Sequence, residues 1–288
     1  MQDDIINRVS SDILKLAPTI QSAIFKNFSK VKMEQVKPVV VNRNAQDITT
    51  DLDHQIGLIY IDQVFAKYKN ELKIDSEEES ERVGSGKITL RFDPIDGSKH
   101  FYKGIPVLGS TASLVVDGVI EFAMVLDIFP ENVYHAFKNR GSFLNEQKIH
   151  VSDQGISDDF SFVMYESPNS DEFLKDPKKF DLFNTKLETI TGSSYRIRNP
   201  GLSSTSICLV ADGSSPAFID FSGSTKLYDV EAAALIAKEA GAVVGDIDGN
   251  RETTLDHSEE GVKKINGNLL IANPKAFEEI SKLLSENR

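Results

Sequence analysis

A chain of 288 residues, 40% hydrophobic and 26% charged, has the material for one large globular unit or two closely packed halves. Its formal net charge of −12 argues against a nucleic-acid surface, and a single cysteine, Cys208, excludes an internal disulfide framework. Apolar runs such as 232–237 fall short of the about 20 residues that cross a bilayer, and the acidic start has no signal-peptide pattern, so the expectation is a cytoplasmic protein.

Residues 3–28 place Ile5, Ile6, Val9, Ile13, Leu16, Ile20 and Ile24 at helical spacing, which predicts an amphipathic helix broken or bent near Pro18. "KPVVVN" is a short β-rich run. Asp51 or Asp53 opens a second helix reaching about Tyr68, with Ile56, Ile59, Ile61, Val64 and Phe65 as its buried stripe. "ELKID" reads as a strand, and Ile88–Phe92 alternates toward one apolar face as a strand does. From 107 to 137, three β-type runs separated by Asp117-Gly118 and Pro130-Glu131-Asn132 predict an antiparallel meander. Strands at 159–166 and in "PAFIDF", a polar-faced helix at 171–187, and a glycine-stopped helix in "LSSTSICLVADG" follow. "DVEAAALIAKEAG" (229–241) is the strongest helix, alanine-rich, acidic at its start and stopped by Gly241. "AVVGDIDGN", "NLLIAN" and a helix at 274–286 close the chain. Blocks of strands and helices favour stacked layers over a strict βαβ repeat, with a boundary expected near residue 150 between an N-terminal half (1–150) and a C-terminal half (151–288).

The stretch "TLRFDPIDGSKHF" places Asp93 and Asp96 at a strand end, with Pro94 between them and Gly97-Ser98 straight after. Magnesium takes hard oxygen ligands, usually one or two carboxylates with water and phosphate, and Asp93, Asp96 and the Ile95 carbonyl can converge on such an ion. Gly97 permits close backbone approach, and a helix starting at Ser98 would turn N–H groups toward an anion. The same residues also suit a plain turn and helix cap, since Asp-Pro and Asp-Gly do so commonly. Two further acids join by position. Glu77, in the acidic run 75–81, follows a strand and can lean toward the same ions, although such a run also reads as a solvated loop. Asp229 stands at the mouth of the alanine-rich helix, where an N-cap is the plain alternative. A protein this acidic repels phosphate at long range, and bound divalent cations reverse that locally. A calcium loop at 246–257 is excluded, because Arg251 and His257 hold the places where an EF-hand needs glycine and glutamate.

Together, "DPIDGS", the upstream Glu-Glu pair and "YDVEAAALIAKEAGA" resemble the signature motifs of the inositol monophosphatase family, magnesium-dependent and lithium-sensitive phosphatases related to fructose bisphosphatases and bisphosphate nucleotidases. "DITTDLD", through Thr50 and Asp53, resembles the family's early motif, and the likeness spans roughly residues 5–285. It implies an α+β fold, the layered αβαβα sandwich, usually as a homodimer. Glu77, Asp93 and the Ile95 carbonyl would hold one Mg2+; Asp93, Asp96 and Asp229 a second; a third would touch Glu77 through water. Mn2+ could replace Mg2+, and Li+ would inhibit. Backbone amides of Gly97 and Ser98 would grip the phosphate of a small phosphorylated metabolite, Ser98 and Glu77 would orient the attacking water, and Asp53 would belong to the proton network behind it. Two such ions can stabilise both entering and leaving oxygens of an in-line displacement.

The departures bear on substrate. Ser98 stands where the family usually has threonine, and Tyr228 where it has tryptophan, a residue this chain lacks entirely. Ser222 occupies the place of a glutamate that contacts the ring in inositol-specific members. Lys99 is like the lysine of bisphosphate nucleotidases and histidinol-phosphate phosphatases near the substrate entrance, and it also fits a surface lysine. Those two activities are the alternatives within the superfamily, and a non-catalytic paralogue is the alternative outside it.

Overall fold

The computed structural model describes residues 2–43, 48–78, 84–166, 177–222, 225–246, 250 and 269–286. Helix α1 (Gln2–Met33) runs unbroken through Pro18, so the expected break is absent. A two-stranded ribbon, β1 (Val40–Arg43) and β2 (Ile48–Thr50), leads into α2 (Asp51–Gln63). That helix ends sooner than its apolar stripe suggested: a single 3-10 turn at Phe65–Lys67 follows, and Ile59 and Ile61 are only half-buried while Tyr60 is fully covered.

Seven strands then build the large sheet in chain order: β3 (Leu72–Ser76), β4 (Ile88–Asp96), β5 (Gly109–Val116), β6 (Val119–Asp127), β7 (Asn132–Phe137), β8 (Gly141–Leu144) and β9 (Gln147–Ile149). The β3–β4 pair is parallel and the others antiparallel, which makes β5 to β7 the expected meander. Helix α3 (Ser98–Lys103) interrupts between β4 and β5. A second sheet of five strands has the order β11 (Ile197–Arg198), β10 (Val163–Glu166), β12 (Ala217–Asp220), β14 (Leu269–Ala272), β13 (Val243–Gly245). The strand expected at 159–166 is thus confined to its last four residues. Helices α4 (Pro177–Thr191), α5 (Ser203–Ala211), α6 (Leu227–Glu239) and α7 (Pro274–Glu286) complete the chain. Part of the helix expected at 171–187, and most of the 246–257 segment tested as a calcium loop, lie outside the described residues.

Side-chain alternation at period two sorts the strands between three cores. On β6, Phe122, Met124 and Leu126 face α1 and α2, while Ala123 and Val125 face α5 and α6. On β14, Leu269 and Ile271 face that same middle helical layer, and Leu270 and Ala272 face α7. The result is an α+β fold in five layers, αβαβα. Its middle layer explains the composition of α6: a helix covered by sheets on both sides must be small all round, and Ala232, Ala233, Ala234 and Ala237 are all buried.

Candidate active site

The turn that opens the site is a β-bulge. Asp93 pairs with Thr111 on β5 and Asp96 with Gly109, so three steps on β4 match two on its partner. A bulge suits Pro94, which cannot donate to a ladder, and swings both carboxylates off the strand end. The Ile95 N–H donates to Asp93 Oδ1 at 2.9 Å and closes the turn. Gly97 then takes φ of +102°, and a Cβ there would lie 2.9 Å from Leu202 Cδ1 and 3.1 Å from the Val107 carbonyl, so only glycine fits.

Two site carboxylates come from the first turns of helices. Asp53 is the third residue of α2, and its Oδ2 accepts from the Thr50 N–H at 2.8 Å and hydroxyl at 2.5 Å. Asp229 is likewise the third residue of α6, accepting weakly from the Lys226 N–H at 3.3 Å. The helix starts two residues before the expected position, so Asp229 is no N-cap; Lys226 holds that place. Glu77 lies just past β3, tied to the sheet by its N–H to the Phe92 carbonyl at 3.3 Å.

Glu77, Asp93 and Asp229 each offer one oxygen, and these lie within 4.8 Å of one another. Asp96 stands outside this trio: its Oδ2 accepts from the Ser204 hydroxyl at 2.5 Å, while its charge still acts on Asp93 and Asp229. The buried Ile95 carbonyl lies 3.0 Å from the Ser98 hydroxyl. That hydroxyl sits closer to Asp53 Oδ1, at 2.6 Å, so Ser98 links Asp53 to the bulge. Lys99 is exposed on α3, outside the carboxylate group.

The electrostatics describe a site short of positive charge. Burial pushes Asp93 and Asp229 well above the usual carboxylate range, with the Glu77 and Asp96 charges adding to it. Burial also raises Asp96, to about 7, against the Ser204 hydroxyl. Asp53 is raised by burial despite its hydrogen bonds from Ser98 and Thr50. The Lys226 ammonium is in contact with Glu77 Oε1. Clustered hard oxygen donors that repel one another, and that have drawn an ammonium to them, fit a small divalent cation.

A profile of the "Inositol monophosphatase family" matches residues 7–287. The chain belongs to that family. It is 27% identical over 239 residues to a protein of Neisseria meningitidis named "Putative Nus factor SuhB", covering 83% of this chain and 85% of that one. It is 28% identical over 219 residues to bovine "Inositol monophosphatase 1", covering 73% and 75%. The crystal structure of extragenic suppressor protein suhB from Bartonella henselae shares the fold, with a TM-score of 0.79 at 18% identity over 98% of this chain and 100% of that one. By family, this member is a phosphoric monoester hydrolase.

Sequence reasoning missed Lys226, Ser204 and Thr111. Lys226 carried a signal, as a cation directly before an apolar helix start that opens on an acid. Ser204 and Thr111 carried none, because hydroxyls reveal their partners only in three dimensions. Cys208 is buried and its thiol is pushed up by burial, which makes it a packed core residue.

Proposed function

We propose that this chain is a Mg2+-dependent phosphomonoesterase of a small phosphorylated metabolite, acting through water attack without a covalent intermediate. The observation that supports it most is the trio Glu77, Asp93 and Asp229, with one oxygen each inside 4.8 Å. With Asp96 and the Ile95 carbonyl beside them, these residues would hold two or three Mg2+. Bound there, the ions would offset charge on the phosphate, acidify water and steady the leaving oxygen.

The chain's own residues have distinct work. Ser98 donates its proton toward Asp53 Oδ1, which leaves its oxygen lone pairs to orient a water. Asp53, held by Thr50 on its other oxygen, is a buried base whose raised proton affinity suits it to take that water's proton onward. Amides of Gly97 and Ser98 would receive the phosphate, and Glu77 would share in orienting the water. Substrate choice falls to the C-terminal half, packed with the N-terminal half as one catalytic unit. There Ser222 is buried, its hydroxyl 3.0 Å from that of Thr225, which provides no charged contact for a polyol ring.

The test is phosphate release with Mg2+ over a panel of inositol monophosphate, fructose bisphosphate, adenosine bisphosphate, histidinol phosphate and an aryl phosphate, repeated with lithium. We expect Mg2+-dependent turnover of at least one ester, inhibited by lithium. No release above background from any of them would identify a non-catalytic paralogue.

A further inference from the structure

We infer that a buried ionic hub centred on Arg91 is the positioning device of this active site; the inference rests on reading the carboxylate trio as a cation site. The sheet register supplies the argument. Asp75, Arg91 and Ser113 are lateral neighbours on β3, β4 and β5. Two residues further along, on the same face, come Asp93 and Thr111, and Glu77 follows directly after the end of β3, its N–H donating to the Phe92 carbonyl at 3.3 Å. Asp93 therefore stands one rung above the hub, with Glu77 just past the neighbouring strand end.

The hub's bonds are directional. Arg91 Nε donates to Asp75 Oδ2 at 2.8 Å and Nη1 to Glu231 Oε2 at 2.6 Å. The Tyr228 hydroxyl donates to Asp75 Oδ1 at 2.6 Å, and the Ser113 hydroxyl donates to Glu231 Oε1. Arg91, Asp75, Glu231, Tyr228 and Ser113 are each no more than 6% exposed. Tyr228 and Glu231 are three apart on α6, hence on one face, and they bracket Asp229. They clamp the first turn of α6 to the sheet at the level of the site. Thr111 adds a tie in the upper rung: its hydroxyl accepts the Asp93 N–H at 3.3 Å and donates to the Tyr228 carbonyl at 3.0 Å.

Stability alone is a poor reason for this arrangement. Two carboxylates and one guanidinium pay a desolvation cost that apolar side chains of similar volume avoid. What the hub supplies is a fixed distance between the end of β3, after which Glu77 follows, and β4 and α6, which carry Asp93 and Asp229. Partners hydrogen-bonded directly to a metal ligand change cation affinity by about 10- to 100-fold when removed, and the hub acts one rung further out through β4 and α6.

The experiment uses the full chain, stripped of metal, with Mn2+ binding measured by titration calorimetry and folding by circular dichroism and thermal melting. Arg91→Lys keeps the charge but loses the planar fork, and Tyr228→Phe keeps the ring but loses the donor to Asp75. Both should remain folded and bind Mn2+ about 10- to 100-fold more weakly, with kcat reduced even at saturating Mn2+. A purely structural hub would lower the melting temperature and leave the Mn2+ affinity of the folded protein unchanged, which overturns the inference. Should Arg91→Lys fail to fold, Tyr228→Phe and Glu231→Gln decide the matter by the same readout. Wild-type protein that binds no Mn2+ would overturn the cation-site reading itself, and the inference with it; normal wild-type binding with unaffected variants overturns the inference alone.

Discussion

Cation binding at this site should expel protons, and the amount can be worked from the carboxylates. Asp53, Asp93, Asp96 and Asp229 are all raised, with burial the first cause in each case. A carboxyl raised in the folded state holds its proton longer than in the unfolded chain. Its contribution to stability is therefore full below the unfolded value and lost as pH rises through the folded one. For Asp96 that window runs from 3.8 to about 7. At about 1.4 kcal/mol per unit, the shift over the whole window amounts to roughly 4 kcal/mol. Between pH 6 and pH 8 only about one unit of that window is crossed, about 1.4 kcal/mol from Asp96, so the metal-free protein should melt a few degrees lower near pH 8 than near pH 6. Saturating Mg2+, which requires the ionised carboxylates, should raise the melting temperature more at the higher pH. Titration calorimetry near pH 6, in buffers of different ionisation heat, should count protons released as Mg2+ binds. A Mg2+ stabilisation equal at both pH values, with no proton release, would refute the reasoning.

Ser98→Ala deletes the hydroxyl 2.6 Å from Asp53 and should lower kcat by about 100-fold or more with KM nearly constant. Steady-state kinetics would disprove the assignment if kcat stayed within a few-fold. Lys226→Met removes the ammonium on Glu77, so the metal-free protein should lose thermal stability near neutral pH while its Mg2+ affinity rises. Unchanged calorimetric affinity would mean that Lys226 does not compete with the cation. Gly97→Ala forces a side chain to φ of +102° and against Leu202, which should cost about 1–3 kcal/mol in chemical denaturation together with most activity. A variant as stable and active as wild type would show that the turn tolerates another geometry.

The fold was readable where one local pattern dominated: the β5 to β7 meander and α7 stand where they were expected, α1 does so without the break expected near Pro18, α6 begins two residues early, and DPID with its glycine pointed to the candidate site. The trio was harder, since Glu77 and Asp229 are 152 residues apart and meet only through the parallel pairing of β3 with β4 and the packing of α6 across the sheet. Nothing local specifies that pairing. The family motifs bridged the gap because they carry the tertiary arrangement with them.

The hub was hidden for a more basic reason. Alternation in Ile88–Phe92 marks one apolar face, and Arg91 falls on the other. Every residue of β4 is buried, because α1 and α2 cover one side and α6 the other. In a sheet covered on both sides, a polar residue at the alternate position is an internal contact whose partners must come from other elements. Arginine inside such a strand therefore requires two things: a buried acid nearby, and an element that brings it there. Asp75, two residues before Glu77, and Glu231, two after Asp229, are those acids. On the reading proposed here, both acids lie next to site carboxylates and the charge in β4 belongs to the active site's construction, which would explain why a strand buried on both faces keeps an arginine where an apolar side chain would cost less to fold.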